Sequence, residues 1–287
     1  MSHDMSEILS ANRLTDALAE IEKFVLASDE AGLGAASRSW ALPGFLKGEM
    51  KRIACDLIRF APDAHREGRF LAFSGVDKTG KGTHLFNISN KAGVVSVISH
   101  LREKGFHTLG ITQPSYGSLM GGLVAAHLGK RDTRFRIYGQ IPSGYAWLLW
   151  SLDRAQHNDR ILSWLRRGKM NVVVTKRWTD SNVVYQAANG VDPKRVLDFE
   201  SRVIRPDAVL VLEAPLRVVL DRLRSPDAYE NTPLLEKVIS LYGKLEELYP
   251  LAPVFRLDAS SDPHTVNAKI LDRVDRILGI SPAGSNE

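Results

Sequence analysis

The sequence of 287 residues predicts an α/β fold in which a mostly parallel sheet is covered by helices on both faces. Two observations predict it: short apolar runs typical of buried strands recur along the chain, and longer stretches with helical periodicity separate them. The apolar runs are residues 70–73, 108–111, 172–175, 208–212 and 254–257, and the helical stretches are 83–104, 145–168, 216–224 and 232–248. Because strands that alternate with helices are joined by right-handed crossovers, we expect parallel strands with ligands at their carboxyl ends.

Residues 1–67 show helical periodicity ahead of the first predicted strand. One face of a first helix holds Leu14, Leu18, Ile21 and Val25. A second amphipathic helix over residues 45–60 carries four basic side chains: Lys47, Lys51, Arg52 and Arg59. Such a helix either lies on a membrane or a partner, or packs its apolar face on its own protein, and we favour the second alternative. The predicted organisation is an N-terminal helical extension (1–67), an α/β domain (68–280) and a flexible tail (281–287).

Composition and charge narrow the class of protein. Cys55 is the single cysteine, which excludes an intrachain disulfide and a cysteine zinc cluster and fits a reducing compartment. No apolar run reaches the length of a membrane span, and the first residues lack a secretory signal, so we expect a cytoplasmic protein without membrane partners. The formal net charge of +5 favours anionic partners such as nucleotides or nucleic acid.

The pattern Gly75-x-x-x-x-Gly80-Lys81 follows the first predicted strand directly, and a helical pattern follows it. In this order, glycines allow a tight turn, backbone amides point at phosphate oxygens, and the lysine neutralises the transferring phosphate. The motif therefore predicts a phosphate-binding loop in a three-layer α/β/α P-loop NTPase. The predicted ATP-binding residues are Gly75, Lys78, Thr79, Gly80, Lys81, Gly82 and Thr83. Since Gly82 stands where most such loops have a Mg2+-binding Ser or Thr, Thr83 is either a metal ligand or a helix-start residue.

Further segments, in order and spacing, resemble thymidylate kinases over about residues 69–279. They are Gly75-Val76-Asp77, Ile111-Thr112-Gln113-Pro114, the stretch 148–157, and Thr179-Asp180-Ser181-Asn182-Val183-Val184-Tyr185-Gln186. The resemblance implies that residues 68–280 form a kinase domain and that the acceptor nucleotide is bound by Asp77, Gln113, Pro114, Trp150, Arg154, Arg177, Tyr185 and Gln186. The alternative for the stretch 148–157 is that Trp150 belongs to the core and Arg154 is solvated. The sequence departs from the family at Thr112, Gln113 and Lys176, where the family has Arg, Glu and Asp.

The resemblance also implies roles in phosphoryl transfer. Lys81 would hold the ATP phosphates, Arg177 would fix the acceptor phosphate, and Arg222 and Arg224 would stabilise charge on the transferred group. Either of the last two is alternatively a helix-surface cation. Thr83 and Glu213 are the candidate contacts to Mg2+, which is expected as a cofactor with ATP. Because family members are usually dimers, the resemblance implies a homodimer.

Three functions remain open at this point. The first is ATP-dependent phosphorylation of a pyrimidine deoxynucleoside monophosphate, either dTMP or a related or modified dUMP. The second is the same chemistry on a modified pyrimidine nucleotide within DNA, which the basic N-terminal residues and the departures from the family suggest. The third is a nucleotide-binding regulatory protein without turnover, suggested by Thr112, Gln113 and Lys176. We favour the first.

Overall fold

The computed structural model describes residues 7–87, 93–130, 133–222 and 232–281. In chain order its elements are β1 (Glu7–Ser10), α1 (Ala11–Leu26), α2 (Glu30–Ala36), α3 (Gly44–Arg59), β2 (Arg69–Ser74), α4 (Lys81–Phe86), α5 (Val97–Glu103), β3 (His107–Thr112), α6 (Leu119–His127), β4 (Phe135–Tyr138), α7 (Ser143–Ala155), α8 (Asn158–Leu165), β5 (Asn171–Lys176), α9 (Thr179–Ala188), α10 (Pro193–Glu200), β6 (Ala208–Glu213), α11 (Leu216–Asp221), α12 (Thr232–Tyr242), α13 (Leu245–Leu248), β7 (Val254–Asp258) and α14 (Pro263–Leu278).

The chain divides into two compact units. The first comprises Met1–Ala64, Gln113–Arg160 and Tyr185–Ile204, and the second comprises His65–Thr112, Ile161–Val184 and Arg205–Glu287. These units do not follow the linear division at residue 67, so the domain boundaries drawn from the sequence stay a prediction. Most of the predicted tail, residues 282–287, lies outside the described residues.

The second unit contains a five-stranded parallel sheet in the order β3-β5-β2-β6-β7. All five predicted strands are confirmed, each within two residues of its predicted ends. Side chains alternate between the two faces of the sheet. On one face, Leu71 and Phe73 of β2 belong to the buried cluster that also contains Leu85 of α4 and Ile270 of α14. On the other face, Phe70 meets Trp178 edge-on, with ring centroids 5.2 Å apart. Since apolar side chains cover both faces, the predicted α/β/α layering is confirmed.

Several predicted long helices are interrupted. The stretch 83–104 contains α4 and α5, because α5 starts anew at Ser96, whose side chain accepts a hydrogen bond from the Ser99 amide. The stretch 145–168 is α7 followed by α8, and the stretch 232–248 is α12 followed by α13, with Gly243 between the latter two. Helical periodicity continues through such short breaks, which explains why it did not reveal them.

The first unit contains the predicted N-terminal helices, α1 and α3, and a two-stranded parallel sheet of β1 and β4 that sequence analysis missed. Four-residue strands are too short for a clear alternating pattern, which explains the omission. The apolar face of α3 is buried at Leu46, Met50, Ile53 and Leu57. Two of its four basic side chains form ion pairs, Arg52 with Glu49 and Asp56, and Arg59 with Glu30. The preference for a helix packed on its own protein is therefore supported. Among the described residues, no helix is long and apolar enough to cross a membrane.

Candidate active site

The backbone of the loop between β2 and α4 depends on its glycines. Gly75 has φ +116°, and a Cβ there would lie 2.3 Å from the Leu212 carbonyl oxygen. Gly80 has φ +88°, and Lys78 also takes a left-handed conformation at φ +65°. A side chain at position 75 would both strain the backbone and collide with β6, so this turn requires glycine.

Lys81, the first residue of α4, is buried at 3% exposure. Its Nζ donates to the Gly75 carbonyl at 3.0 Å, to the Val76 carbonyl, and to the Thr79 hydroxyl at 3.1 Å. Burial, together with repulsion by Arg177, lowers the pKa of the Lys81 ammonium well below its usual range. Uncharged loop oxygens therefore hold a desolvated ammonium group, which a bound phosphate would complement far better.

Arg177 follows β5 directly and has φ +65°, which is rare for a residue with a side chain. Its amide donates to the Phe73 carbonyl at 2.8 Å, and its Nη2 lies 2.8 Å from Oδ1 of Asp77. Although burial opposes ionisation of Asp77, the Arg177 guanidinium holds the pKa of that carboxyl below its usual range. Strained backbone persists where the surroundings enforce it and is concentrated at functional sites. Two predicted acceptor-binding residues are thus in direct contact beside the loop.

A cavity of about 460 Å³ borders the loop within the second unit. Its walls come from the loop, α4, the Arg222 side chain and the turn after β7: Lys78, Thr79, Gly80, Thr83, His84, Arg222, Ala259, Ser260, Ser261, Asp262, Pro263 and Val266. Nη1 of Arg222 donates to the Ala259 carbonyl at 3.1 Å and to the Lys78 carbonyl at 3.4 Å. Arg222 therefore joins the phosphate loop to the turn. The other predicted arginine, Arg224, lies outside the described residues.

The two predicted contacts to Mg2+ have different surroundings. Thr83 lies on the wall of this cavity, whereas the Glu213 carboxylate accepts a hydrogen bond from Arg256, which also binds Glu246. Within the described part of the chain, no group of three or more His, Cys, Asp or Glu side chains could hold a metal ion. Magnesium at nucleotide sites needs few protein ligands, since phosphates and water complete its shell. Thr83 fits a contact to nucleotide-bound Mg2+ and Glu213 fits it poorly.

In the first unit, helix α7 carries Trp150 and Arg154, at 8% and 2% exposure. The Trp150 ring meets His127 edge-on, with centroids 5.5 Å apart, and the carbonyl of Trp150 accepts a hydrogen bond of 2.8 Å from Nη1 of Arg154. The same Nη1 lies 3.9 Å from Oε1 of the buried Glu200, which also accepts a 2.7 Å bond from Ser151. The alternative of a solvated Arg154 is therefore wrong. Among the described residues, the buried Nε of Arg154 has no hydrogen-bond partner.

The segment after β3 is fixed to α7 by Asp153, which is fully buried. Its carboxylate accepts from the Ser115 amide at 2.8 Å, the Ser118 hydroxyl at 3.3 Å and Gln156 Nε2 at 2.6 Å. Ser115 Oγ also lies 2.8 Å from Nε2 of His157. Burial raises the pKa of Asp153 to about 6, and burial with the nearby Arg160 lowers the pKa of His157 to about 4.

The other predicted acceptor residues of the first unit are also buried. Gln113 is 2% exposed, and its Oε1 has no hydrogen-bond partner within the described ranges. Pro114 follows it through a cis peptide bond. Tyr185 and Gln186 of α9 are 9% and 4% exposed. Their buried polar atoms are available to a ligand only where a cleft reaches them, so their assignment stays a prediction.

Sequence reasoning missed the residues that support the predicted ones. Asp153, His157 and Glu200 are separated from their partners by up to 49 positions, as in the Ser151–Glu200 bond. A polar residue inside an apolar helical stretch, such as Asp153, was the available signal. It shows burial but not the identity of the partner.

Comparisons with known proteins agree with this architecture. A family model described as thymidylate kinase matches residues 73–270, more than half of the chain. A probable thymidylate kinase of Thermococcus kodakarensis is 27% identical over 219 residues, covering 73% of this chain and 98% of that protein. A thymidylate kinase of Thermosipho africanus is 29% identical over 218 residues, with the same coverages. A solved thymidylate kinase structure from Candida albicans shares the fold, with a TM-score of 0.52, 15% identity, and coverage of 75% of this chain and 93% of that one.

These similarities favour a catalytic kinase over a non-catalytic nucleotide-binding protein. Because the family model spans both the phosphate loop and the strands that position Arg177 and Glu213, the match includes the elements that build the site. The chain belongs to the thymidylate kinase family, whose members are nucleoside monophosphate kinases.

Proposed function

We propose that this protein transfers the γ-phosphoryl group of ATP to a pyrimidine deoxynucleoside monophosphate, with dTMP as the first candidate and dUMP or a modified dUMP as the next. The observation that carries the proposal is the buried Lys81 in a glycine-dependent loop, together with Arg177 held in a left-handed conformation beside it. Family membership supports the same reaction.

Phosphoryl transfer needs positioning and charge neutralisation more than covalent participation of the protein. An oxygen of the acceptor phosphate attacks the γ-phosphorus, the bond from that phosphorus to the β–γ bridging oxygen breaks, and ADP leaves. The acceptor phosphate is already ionised, so no general base is required. In this proposal the loop amides and Lys81 bind the donor phosphates, and Arg177 binds the acceptor phosphate.

Arg222 is proposed to bind on the donor side. Its hydrogen bonds to Lys78 and Ala259 place it on the cavity wall next to Thr83. The resemblance implied that Arg222 closes over the transferred phosphoryl group. To do so, its guanidinium would have to break its hydrogen bonds to the Lys78 and Ala259 carbonyls. Magnesium bound to ATP would offset charge on the β- and γ-phosphates, with Thr83 as the proposed protein contact.

The first unit is proposed to recognise the acceptor nucleoside. An aromatic face such as that of Trp150 is suited to stacking on a base, and an arginine or amide to hydrogen bonding with its edge. Among the described residues, the buried Nε of Arg154 and Oε1 of Gln113 have no hydrogen-bond partner, which supports this role, since buried polar atoms normally have partners. Pro114, Tyr185 and Gln186 complete the proposed acceptor set of this unit, and the role of Asp77 in the second unit stays a prediction from the resemblance.

The decisive test measures products with the purified full chain, ATP and Mg2+. Separate reactions contain dTMP, dUMP, 5-hydroxymethyl-dUMP, dCMP, dAMP or an oligonucleotide, and chromatography detects ADP and the phosphorylated acceptor. We expect diphosphate formation from dTMP or a dUMP, and none with the Lys81→Met variant. Phosphorylation of the oligonucleotide instead would support the alternative acceptor within DNA. ATP binding without transfer to any acceptor would overturn the proposed reaction.

Assembly and location are further proposals from family membership. We expect a homodimer, which light scattering on the purified chain would detect, and a cytoplasmic protein, where its nucleotide substrates are found. A monomer at micromolar concentration would contradict the first expectation.

A further inference from the structure

Lys176, the last residue of β5, lies where β2 enters the phosphate loop. It pairs in register with Phe73 of β2, two residues before Gly75. Because side chains alternate along a strand, Lys176 shares a face with Val172 and Val174. These two valines belong to the buried cluster that includes Leu85 of α4. The Lys176 side chain therefore extends from the face of the sheet that is covered by α4, the helix that begins with Lys81.

The charges around the loop are predominantly positive. Burial and Arg177 are the larger influences on the pKa of Asp77 and of Lys81, and the Lys176 charge is a smaller influence that lowers both pKa values. Arg177 does the same, and it is already paired with Asp77. Lys81 is thus repelled by two neighbouring cations, and Asp77 and Asp180 oppose this repulsion. A polyanion at the loop would oppose this repulsion, since its oxygens would add negative charge beside the cations.

We propose that Lys176 is a phosphate-binding residue of the loop, and that its ammonium supplies charge that makes ATP binding weakly dependent on a divalent cation. This inference rests on the assignment of the loop as the ATP site in the proposed function. An ammonium attached to the end of an interior strand requires no ordering of a separate ion when nucleotide binds. Magnesium bound to ATP and Lys176 then neutralise the same phosphate charge, so the loss of one is felt more strongly when the other is missing.

The test is a comparison of ATP affinity with and without divalent cation, measured by calorimetry on the full chain in excess Mg2+ and in EDTA. The variants are Lys176→Gln, which removes the charge, and Lys176→Arg, which retains it. The matched control is Lys169→Gln, since Lys169 is an exposed lysine shortly before the other end of β5. Circular dichroism and melting temperature check that each variant is folded.

For the unchanged protein we expect the Kd for ATP to rise less than about tenfold in EDTA, because one charged contact replaces part of the metal's contribution. Lys176→Gln should weaken binding in EDTA about tenfold more than it does in Mg2+, while Lys176→Arg and Lys169→Gln keep the pattern of the unchanged protein. Equal weakening by Lys176→Gln in both conditions, no weakening, or the same effect from Lys169→Gln would overturn the inference.

The dependence of ATP affinity on Lys176 and the phosphorylation of an acceptor are independent results. If the expected EDTA dependence is observed but no acceptor is phosphorylated, the role of Lys176 stands and the proposed reaction falls. If diphosphate forms but the Kd is insensitive to Lys176 in EDTA, the reaction stands and this inference falls. If ATP binds under neither condition, both fall together.

Discussion

The phosphate loop of the second unit and helix α7 of the first unit both hold charge away from water, and they do so in opposite ways. In the loop, Lys81 is surrounded by uncharged oxygens and repelled by Arg177 and Lys176. In α7, Asp153 accepts several hydrogen bonds and Arg154 lies near the buried Glu200. Charge in the loop is incompletely compensated and suits binding of an anion, whereas charge in α7 is mostly compensated within the fold.

The difference between the two regions predicts different consequences of mutation. Removing the Lys81 charge from the loop should abolish function with little effect on folding, since uncharged oxygens hold this ammonium group. Removing charge from α7 should destabilise the protein, since its partners would be left buried without hydrogen bonds.

Lys81→Met should lower kcat/KM about 1000-fold, the size expected when a group that stabilises transition-state charge is removed. A coupled assay of ADP formation measures the loss, and circular dichroism checks the fold. Lys104→Met, at an exposed lysine after α5, is the matched control and should be fully active. A Lys81→Met variant that retains more than a tenth of the activity would show that the loop charge is not used in catalysis.

Glu200→Ala should lower the free energy of unfolding by about 3 kcal/mol, because it leaves the buried Arg154 without its nearby carboxylate and Ser151 without its acceptor. Glu200→Gln keeps a hydrogen-bond acceptor for Ser151 and should cost about 1 kcal/mol. Urea unfolding followed by tryptophan fluorescence measures both. Equal and small effects of the two substitutions would contradict the view that α7 is held by compensated charge.

Asp153 and His157 should give stability profiles of opposite slope. Burial raises the pKa of Asp153 to about 6, so the folded protein binds a proton there that the unfolded chain has lost. Its stabilising contribution is complete below about pH 4 and lost as the pH rises to 6. The pKa of His157 is lowered to about 4, so its contribution is present above about pH 6.5 and lost as the pH falls to 4.

In the unchanged protein these two dependences largely cancel between pH 4 and 6.5. Asp153→Asn should therefore reveal a stability that rises with pH by about 2 to 3 kcal/mol, and His157→Gln one that falls with pH by a similar amount. Urea midpoints at half-unit pH steps measure both slopes. If stability changes with pH in the same direction in both variants, other titrating groups rather than Asp153 and His157 determine the pH dependence.

The two regions also differ in how far the sequence predicted them. The loop was predicted residue by residue, because a short turn between a strand and a helix is determined locally by Gly75, Gly80 and Lys81. The five sheet strands were predicted for a similar reason, since each is a short apolar run in the sequence. The break before α5 was missed because the Ser96 cap does not interrupt the apolar period, and the break near residue 157 was missed because that period continues from α7 into α8.

The supporting contacts of α7 could not be predicted, because they join residues far apart in the chain. Nothing near Ser151 indicates that its hydroxyl binds Glu200, and nothing near Ser115 indicates that its amide binds Asp153. The resemblance predicted Trp150 and Arg154 as contacts to the acceptor nucleotide. It gave no information on Glu200 or His157, and these must be found from the fold.

Ser115→Ala should have the smallest effect, about 1 kcal/mol of unfolding free energy, because it removes the hydroxyl that contacts His157 but retains the amide that binds Asp153. Ser39→Ala, which removes an exposed local hydrogen bond to the Ala36 carbonyl, is the matched control and should change stability by less than about 0.5 kcal/mol. Urea unfolding at pH 7 measures both, at a pH where Asp153 and His157 no longer change protonation. A loss above about 3 kcal/mol for Ser115→Ala would mean that the side chain, rather than the backbone amide, fixes the segment after β3 to α7.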